Sequence, residues 1–465
     1  MSMYGSPLQK VLTAAAMLML FLAMGLGGKS AYPVLIQQLL GLGVLLLVFG
    51  AGAHRQYTRP LAGLFWLFVL LLAGLYQVPL PEQFWSALPG RTLLLPVETL
   101  VQPVLGADAR LPHTLSVSPD LSSAALLQLI PVCALFFLGS SLHMRRALQV
   151  VGFLLVLGAL ESVLGLLQYA AGEGSPWLLG APFSGGAQGT WNSRNHYVAM
   201  VELTLPMAIT LALHLLTRPP SAYPGSSRER AAPLVLITGV IMALFLGGVF
   251  SRSRAGIVLL MVGVLLITLV AVRQVHKRRS LGLMAVLATL CSGLAVTIGL
   301  VPVLDRFVSP STVAPERWRI YETTWLAIRD FLPLGSGPGT FAGIYRLYQP
   351  MDQPGLINHA HNDYLELLLE TGLIGLVLLG LFLLLYGHAW LRLHGWRAHH
   401  GFRFVQLGAG VGIFLFLLHG LLDFNFHVLA NTCLFAFVCG LFFREPGAQP
   451  FHADTFDTPE RRQRG

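Results

Sequence analysis

The feature that most constrains this chain is a recurrence of apolar runs, each roughly 17 to 25 residues long, the length a helix needs to cross the hydrocarbon of a bilayer. They are centred near residues 20, 43, 70, 132, 159, 207, 242, 263, 291, 375, 413 and 435. Backbone in hydrocarbon must satisfy its own polar groups, and a run of this length does so as a helix. Composition agrees, because 55% hydrophobic and 11% charged residues over 465 positions are too apolar and too charge-poor for a soluble domain. The chain therefore reads as an all-α membrane protein of about 12 transmembrane helices. Residues 1–444 form a single polytopic domain, and the polar tail 445–465 is expected to be disordered and cytoplasmic. The length of the first run, Val11 to Gly28, favours a retained span over a signal peptide.

The net charge of +9 asks which side of the bilayer holds Lys and Arg, and does not point to nucleic acid. With the N-terminus cytoplasmic, the inner connections and the tail hold 19 of the 30 Lys and Arg residues. Both termini are then inside. The long connections, about 79–121, 172–195 and 302–361, fall on the outer side. Long structured loops on one face are where a site is usually built. Cys133, Cys291, Cys433 and Cys439 lie in apolar runs at no ligand-like spacing, which argues against both a disulfide framework and a zinc site.

Residues 359 to 375, His-Ala-His-Asn-Asp-Tyr-Leu-Glu-Leu-Leu-Leu-Glu-Thr-Gly-Leu-Ile-Gly, place the densest ionisable cluster at the mouth of an apolar run. Helical spacing begins at Asp363 and puts Asn362, Glu366 and Glu370 on one face, with His359 and His361 just before it. Such groups are costly near hydrocarbon and point to function; the plainer alternative is a wet helix mouth. Arg194 opens the sixth span with Asn195 and His196, where free amides suit an anion. Arg252 and Arg254 occupy a tight turn on the outer side, against the positive-inside tendency. Guanidinium groups match phosphate oxygens two at a time, and lipid headgroups are the alternative partner for these arginines.

The third outer loop carries Trp318, Tyr321, Trp325 and Ile328 at three- and four-residue spacing, with Arg317, Glu322, Arg329 and Asp330 between them. This predicts an amphipathic helix at the membrane surface, roofing what lies below. The Gly-rich segment 333–341 reads as a turn or as a phosphate-binding nest, and it lacks the Lys-Ser/Thr of a P-loop. Tyr345 follows it toward the histidines. Glu161 and Glu202 lie deep in spans, where a carboxylate is protonated or paired. Asp423 and His427 bring one more acid and one more histidine to the outer surface in the last hairpin.

The recurring theme is cations plus a base. The outer side of an inner membrane has no ATP or nucleotide sugar, so a transferase there needs a donor already activated in the lipid. A polyprenyl diphosphate-linked glycan meets that need. Arginines can stabilise the departing diphosphate, and a neutral histidine can take the proton of an acceptor hydroxyl. Neither role requires a metal ion or a cofactor.

The 359–375 stretch resembles the signature of the O-antigen ligase and polymerase superfamily of bacterial membrane glycan transferases, which includes O-linked protein oligosaccharyltransferases. Gly189-Thr-Trp-Asn-Ser-Arg-Asn-His, Ser253-Arg-Ala-Gly and Gly335-Ser-Gly-Pro-Gly-Thr-Phe resemble three further blocks, so the motif core spans 189–375. The resemblance implies a helical bundle of the bacterial inner membrane, with a large periplasmic loop over the active site. It puts the essential histidine on His361, with Asn362 and Gly372, and keeps His359 as understudy. Diphosphate-holding arginines map onto Arg254, and also onto Arg194 and Arg317. Gly375 departs from the Asn, Thr or Tyr common in ligases acting on lipopolysaccharide core, which leaves the acceptor open.

The expected activity is en bloc transfer of a glycan from a polyprenyl diphosphate carrier to an acceptor hydroxyl, metal-independent and inverting. His361, Arg254 and Arg194 are the expected catalytic residues, and Arg252, Arg317, His359, Asn362, Glu366 and Tyr345 the substrate contacts. The acceptor is a lipid A-core, a glycan or a protein. The alternatives are a polymerase joining lipid-linked repeat units and a protein oligosaccharyltransferase. A small-anion transporter is disfavoured, because the obvious charges gather on one side of the membrane.

Overall fold

The computed structural model describes residues 7–25, 31–55, 58–96, 100, 113–217, 227–274, 313–395 and 402–445. The helices α1 (Pro7–Gly25), α2 (Ala31–Gly50), α3 (Pro60–Leu75), α4 (Pro119–Ser141), α5 (Met144–Ala171), α6 (Arg194–Thr217), α7 (Ser227–Phe250) and α8 (Arg254–Gln274) precede two helices of the third outer loop. These two are α9 (Val313–Phe331) and α10 (Phe341–Tyr348), and α11 (Asp363–Gly395), α12 (Phe402–His419) and α13 (Leu429–Phe443) complete the chain. Among the described residues no strand forms beyond one isolated bridge, Pro79 to Thr114.

Among the described residues, seven helices are long and apolar enough to cross a membrane, and four shorter apolar ones stand where further spans are expected. The span expected near residue 291, Cys291 and the tail from residue 446 lie outside the described residues. Large apolar side chains such as Leu46, Leu71, Leu236, Leu384 and Leu391 project outward from α2, α3, α7 and α11, as on helices surrounded by lipid. The chain is a multi-pass membrane protein.

Packing is tightest where small residues let backbones approach. A Cβ on Gly408 of α12 would fall 2.6 Å from Met207 Cα of α6, and one on Gly412 would fall 2.9 Å from the Leu203 carbonyl oxygen. Such close crossings are how membrane helices gain packing without a hydrophobic drive. The same interface buries Glu202 against His419, Oε2 to Nδ1 at 3.0 Å, so of the two options for a deep carboxylate this one takes pairing. Glu161 of α5 instead accepts from the Thr190 amide at 2.9 Å and holds the second outer loop down.

The third outer loop forms a roof with its own core of Ile320, Ala327, Ile328, Phe331, Phe341, Ile344 and Tyr345, packed on Ala360 and Leu369. The expected amphipathic helix is α9, and its apolar residues divide between two faces. Ile320, Ala327, Ile328 and Phe331 turn inward while Trp318 and Trp325 are exposed. The reason is periodicity: two overlapping apolar stripes fit this helix, and the small Ala327 lets the Ile/Phe stripe approach α10 and α11 more closely.

Filling the α6–α12 contact should be costly. Gly412→Leu is expected to destabilise the detergent-solubilised protein by about 1–3 kcal/mol, the usual cost of overpacking, measured as a fall in Tm with the helical circular dichroism retained below the transition.

Candidate active site at the histidine stretch

Asn362 starts α11 as its cap: its Oδ1 accepts from the amides of Tyr364 and Leu365, while its Nδ2 donates to the Leu421 carbonyl at 3.0 Å. The Asp363 amide donates to Gly420 O at 2.8 Å, so the stretch is docked onto the 420–428 hairpin. His361 is left-handed, φ 51°, an unfavourable conformation for a side chain with a Cβ and one that collects at functional sites. Tyr321 of the roof holds its carbonyl through a 2.8 Å hydrogen bond.

Asp423 is the hub. Its side chain is 3% exposed, and its Oδ1 lies 3.1 Å from His361 Nδ1. Asn195 Nδ2 donates to Oδ2 at 2.6 Å, Arg317 Nη2 lies 3.4 Å from Oδ2 and His196 Nε2 stands 3.8 Å from Oδ1. Burial by itself would raise the Asp423 carboxyl, but His196, His361 and Arg317 outweigh it and hold the group well below the ordinary carboxylate range. Phe424 fills the space between the rings, stacked on His359 at 4.2 Å and edge-on to His361 and His196.

A second group adjoins the first. His359 Nδ1 lies 2.9 Å and His427 Nε2 3.3 Å from the same Glu366 Oε1. His427 Nδ1 meets Asp363 Oδ1 at 3.0 Å. Burial would lower the His427 imidazole, but Glu366, Asp363 and Glu370 raise it to about 10.

Arg194 and Arg254 share a local design. Each is the first residue of its helix and follows a serine whose hydroxyl accepts from the first turn, Ser193 from the Asn195 amide and Ser253 from the Gly256 amide. A cation at a helix N-terminus opposes the macrodipole, so these ends combine two sources of positive potential. The two segments touch, for the Ala187 amide beside them donates to Phe250 O at 2.8 Å, and Arg194 Nη1 would stand 3.0 Å from a Cβ on Gly185. Arg252, between them in the turn, is left-handed at φ 54°.

The structure therefore brings His361, Arg317, Asn195 and His196 together at Asp423, and His359 with Glu366 at His427. Arg194 adjoins this group through Asn195, and Arg252 and Arg254 lie in the turn that pairs with the second outer loop. Tyr345 is not among the histidines. It is buried in the roof core, with its hydroxyl donating to Gln353 Oε1 at 2.8 Å. The 333–341 segment is a turn and not a nest, because its amides are used: Ser336 N donates to Leu369 O at 2.9 Å and Gly337 N to Glu370 O at 2.8 Å. Those carbonyls are released by a break in α11 at Gly372, φ 58°, where a Cβ would fall 2.1 Å from Pro333 O. Glu370 caps the roof, its Oε1 accepting from the Phe341 amide at 3.0 Å.

Asp423, Asn195, His196 and His427 carry more of the site than their sequence context suggests. For Asp423 and His427 the available signal is an acid and a histidine four residues apart between two apolar runs, and for Asn195 and His196 it is their place beside Arg194. Arg91, which nothing in the sequence singles out, is buried and donates to the carbonyls of Leu115 and Gly335, tying the first outer loop to the Gly-rich turn.

A cavity of about 480 Å³ runs between α3, α4, α11 and α13. Leu72, Leu129, Leu378 and Phe435 line its apolar length, Arg59 and Arg392 stand at one end, and Asp363, Glu370 and His427 at the other.

A carboxyl held low contributes stability that is full above its unfolded value, about 3.9, and is lost as pH falls below it. The Tm difference between wild type and Asp423→Asn should therefore shrink as pH falls below about 4, read by thermal denaturation in detergent.

Residues 237–380, roughly a third of the chain, match the family model described as O-antigen ligase. The match supports an O-antigen ligase superfamily assignment and reaches from α7 through Arg252, Arg254, the roof and the histidine stretch into α11, leaving out Arg194, Asp423 and His427. No curated protein matches the chain.

Proposed function

We propose, from the O-antigen ligase superfamily assignment, that this membrane protein is a glycosyltransferase moving a glycan en bloc from a polyprenyl diphosphate carrier to an acceptor hydroxyl. The observation that carries the reading is the His361–Asp423 pair. With the Nδ1 proton directed to the buried carboxylate 3.1 Å away, Nε2 keeps its lone pair, and a side chain 34% exposed can offer it to a hydroxyl.

In this reading Nε2 of His361 takes the acceptor proton as the acceptor oxygen attacks the anomeric carbon. The bond from that carbon to the diphosphate oxygen breaks, and the electron pair leaves with the diphosphate. Arg254 and Arg194, at their helix N-termini, meet the developing charge, and Arg317 supports them from the roof. A single displacement inverts the anomeric centre. Asp423 positions the imidazole and stabilises it once protonated, without itself taking the proton. None of these steps calls on a metal ion. The apolar cavity ending at Asp363, Glu370 and His427 is consistent with a substrate carried on a long hydrocarbon chain. Periplasmic exposure of the site follows from the Lys and Arg distribution.

The test is transfer by purified protein from a lipid-linked glycan to alternative acceptors, with products weighed by mass spectrometry. His361→Ala and Arg254→Ala should each cut turnover by about a hundredfold or more while eluting as folded protein, and retained turnover in either removes its role. Asp423→Asn should lower kcat with little change in KM, as expected of a group acting in the transition state through another residue.

A further inference from the structure

The group formed by His359, Glu366 and His427 is not used by that chemistry, and it raises an electrostatic problem of its own. Asp363, Glu366 and Glu370 are 4%, 1% and 6% exposed within two turns of α11. Two imidazole nitrogens converge on one oxygen of Glu366. With the Nδ1 proton of His427 committed to Asp363, Nε2 of His427 faces Oε1 of Glu366 across a gap that takes one cation, either the second imidazole proton or a metal ion. At 3.3 Å they attract only if a positive charge lies between them.

We propose that His359, Glu366 and His427 bind a divalent transition metal ion of the zinc class. The donor atoms, His359 Nδ1, Glu366 Oε1 and His427 Nε2, all lie within 4.8 Å of one another. Zinc bonds to nitrogen and oxygen of about 2.0–2.2 Å place neighbouring ligand atoms about 3.3 Å apart in a tetrahedron, close to the 2.9 and 3.3 Å separations around Glu366. Two imidazoles and one carboxylate are a donor set that suits zinc, iron or nickel and does not suit calcium or magnesium.

The surroundings are those of a metal site. A ligating histidine directs its other ring nitrogen to a carboxylate, which fixes its tautomer, and His427 does so to Asp363. Asp363 in turn accepts from the Phe426 amide. The second oxygen of Glu366 is held by the Ala360 amide at 2.9 Å. The side chains of His359 and His427 are 30% and 25% exposed, which leaves a side for the ion to enter and for a water ligand. The ion would pin His359 and Glu366 to His427 of the 420–428 hairpin. The site stands independently of the transferase reading.

The experiment uses full-length protein in detergent, freed of any affinity tag, stripped with chelator and titrated with Co²⁺. One Co²⁺ per chain is expected, with the strong visible absorption of a four- or five-coordinate nitrogen- and oxygen-ligated ion. Glu366→Gln and His427→Gln should weaken binding at least about tenfold and Asp363→Asn about 10- to 100-fold. Absence of that absorption in the wild type overturns the proposal and leaves a proton in the same place. Equal binding by Glu366→Gln and His427→Gln also overturns it, by assigning the ion to other histidines. Neither readout involves glycan transfer, so its failure is separate from failure of the transferase assignment.

Discussion

A carboxylate removed from water costs several kcal/mol unless charge and hydrogen bonds meet it, and Asp423 is met from three distant parts of the chain. Asn195 and His196 reach it from α6, Arg317 from α9 and His361 from the segment before α11. The second outer loop, the roof and the histidine stretch meet at this carboxylate, and each supplies part of the compensation. His361 is thus oriented by an interaction that also holds the loops together, which links the chemistry of the site to the integrity of this end of the bundle.

The same economy appears at Gly372. Breaking α11 there releases the carbonyls of Leu369 and Glu370, and unpaired backbone groups near hydrocarbon are too costly to leave. The Gly-rich turn supplies the missing donors through Ser336 and Gly337, while the Leu373 amide donates to Pro333 O at 2.9 Å. A glycine in the helix and glycines in the loop are therefore two halves of one joint. That joint docks the roof over the helix mouth and carries Tyr321 to the backbone of His361.

Much of this was legible in the residues. Periodicity and run length were enough for eleven of the helices, because the cost of a polar backbone in hydrocarbon leaves a chain few choices. The cluster at 359–366 was visible from the price of ionisable groups near lipid, and the arginines of the 250–254 turn stood out for violating a charge bias. The face of α9 was not legible, since its Trp and Ile/Phe stripes overlap and only α10 and α11 decide between them. Tyr345 was misleading for a related reason: a tyrosine near a site in sequence belongs to the roof core once α10 folds.

By itself the sequence determined an all-helical, multi-pass membrane protein, and it singled out the histidine stretch and several arginines. Those follow from local quantities, run length, spacing and charge count. Only the tertiary structure decided that Asp423 orients His361, that His427 rather than His361 shares Glu366 with His359, and that Glu202 pairs with His419. Those contacts join residues 62, 61 and 217 positions apart. Electrostatic compensation acts through a few ångströms of space, and no spacing along the chain encodes it.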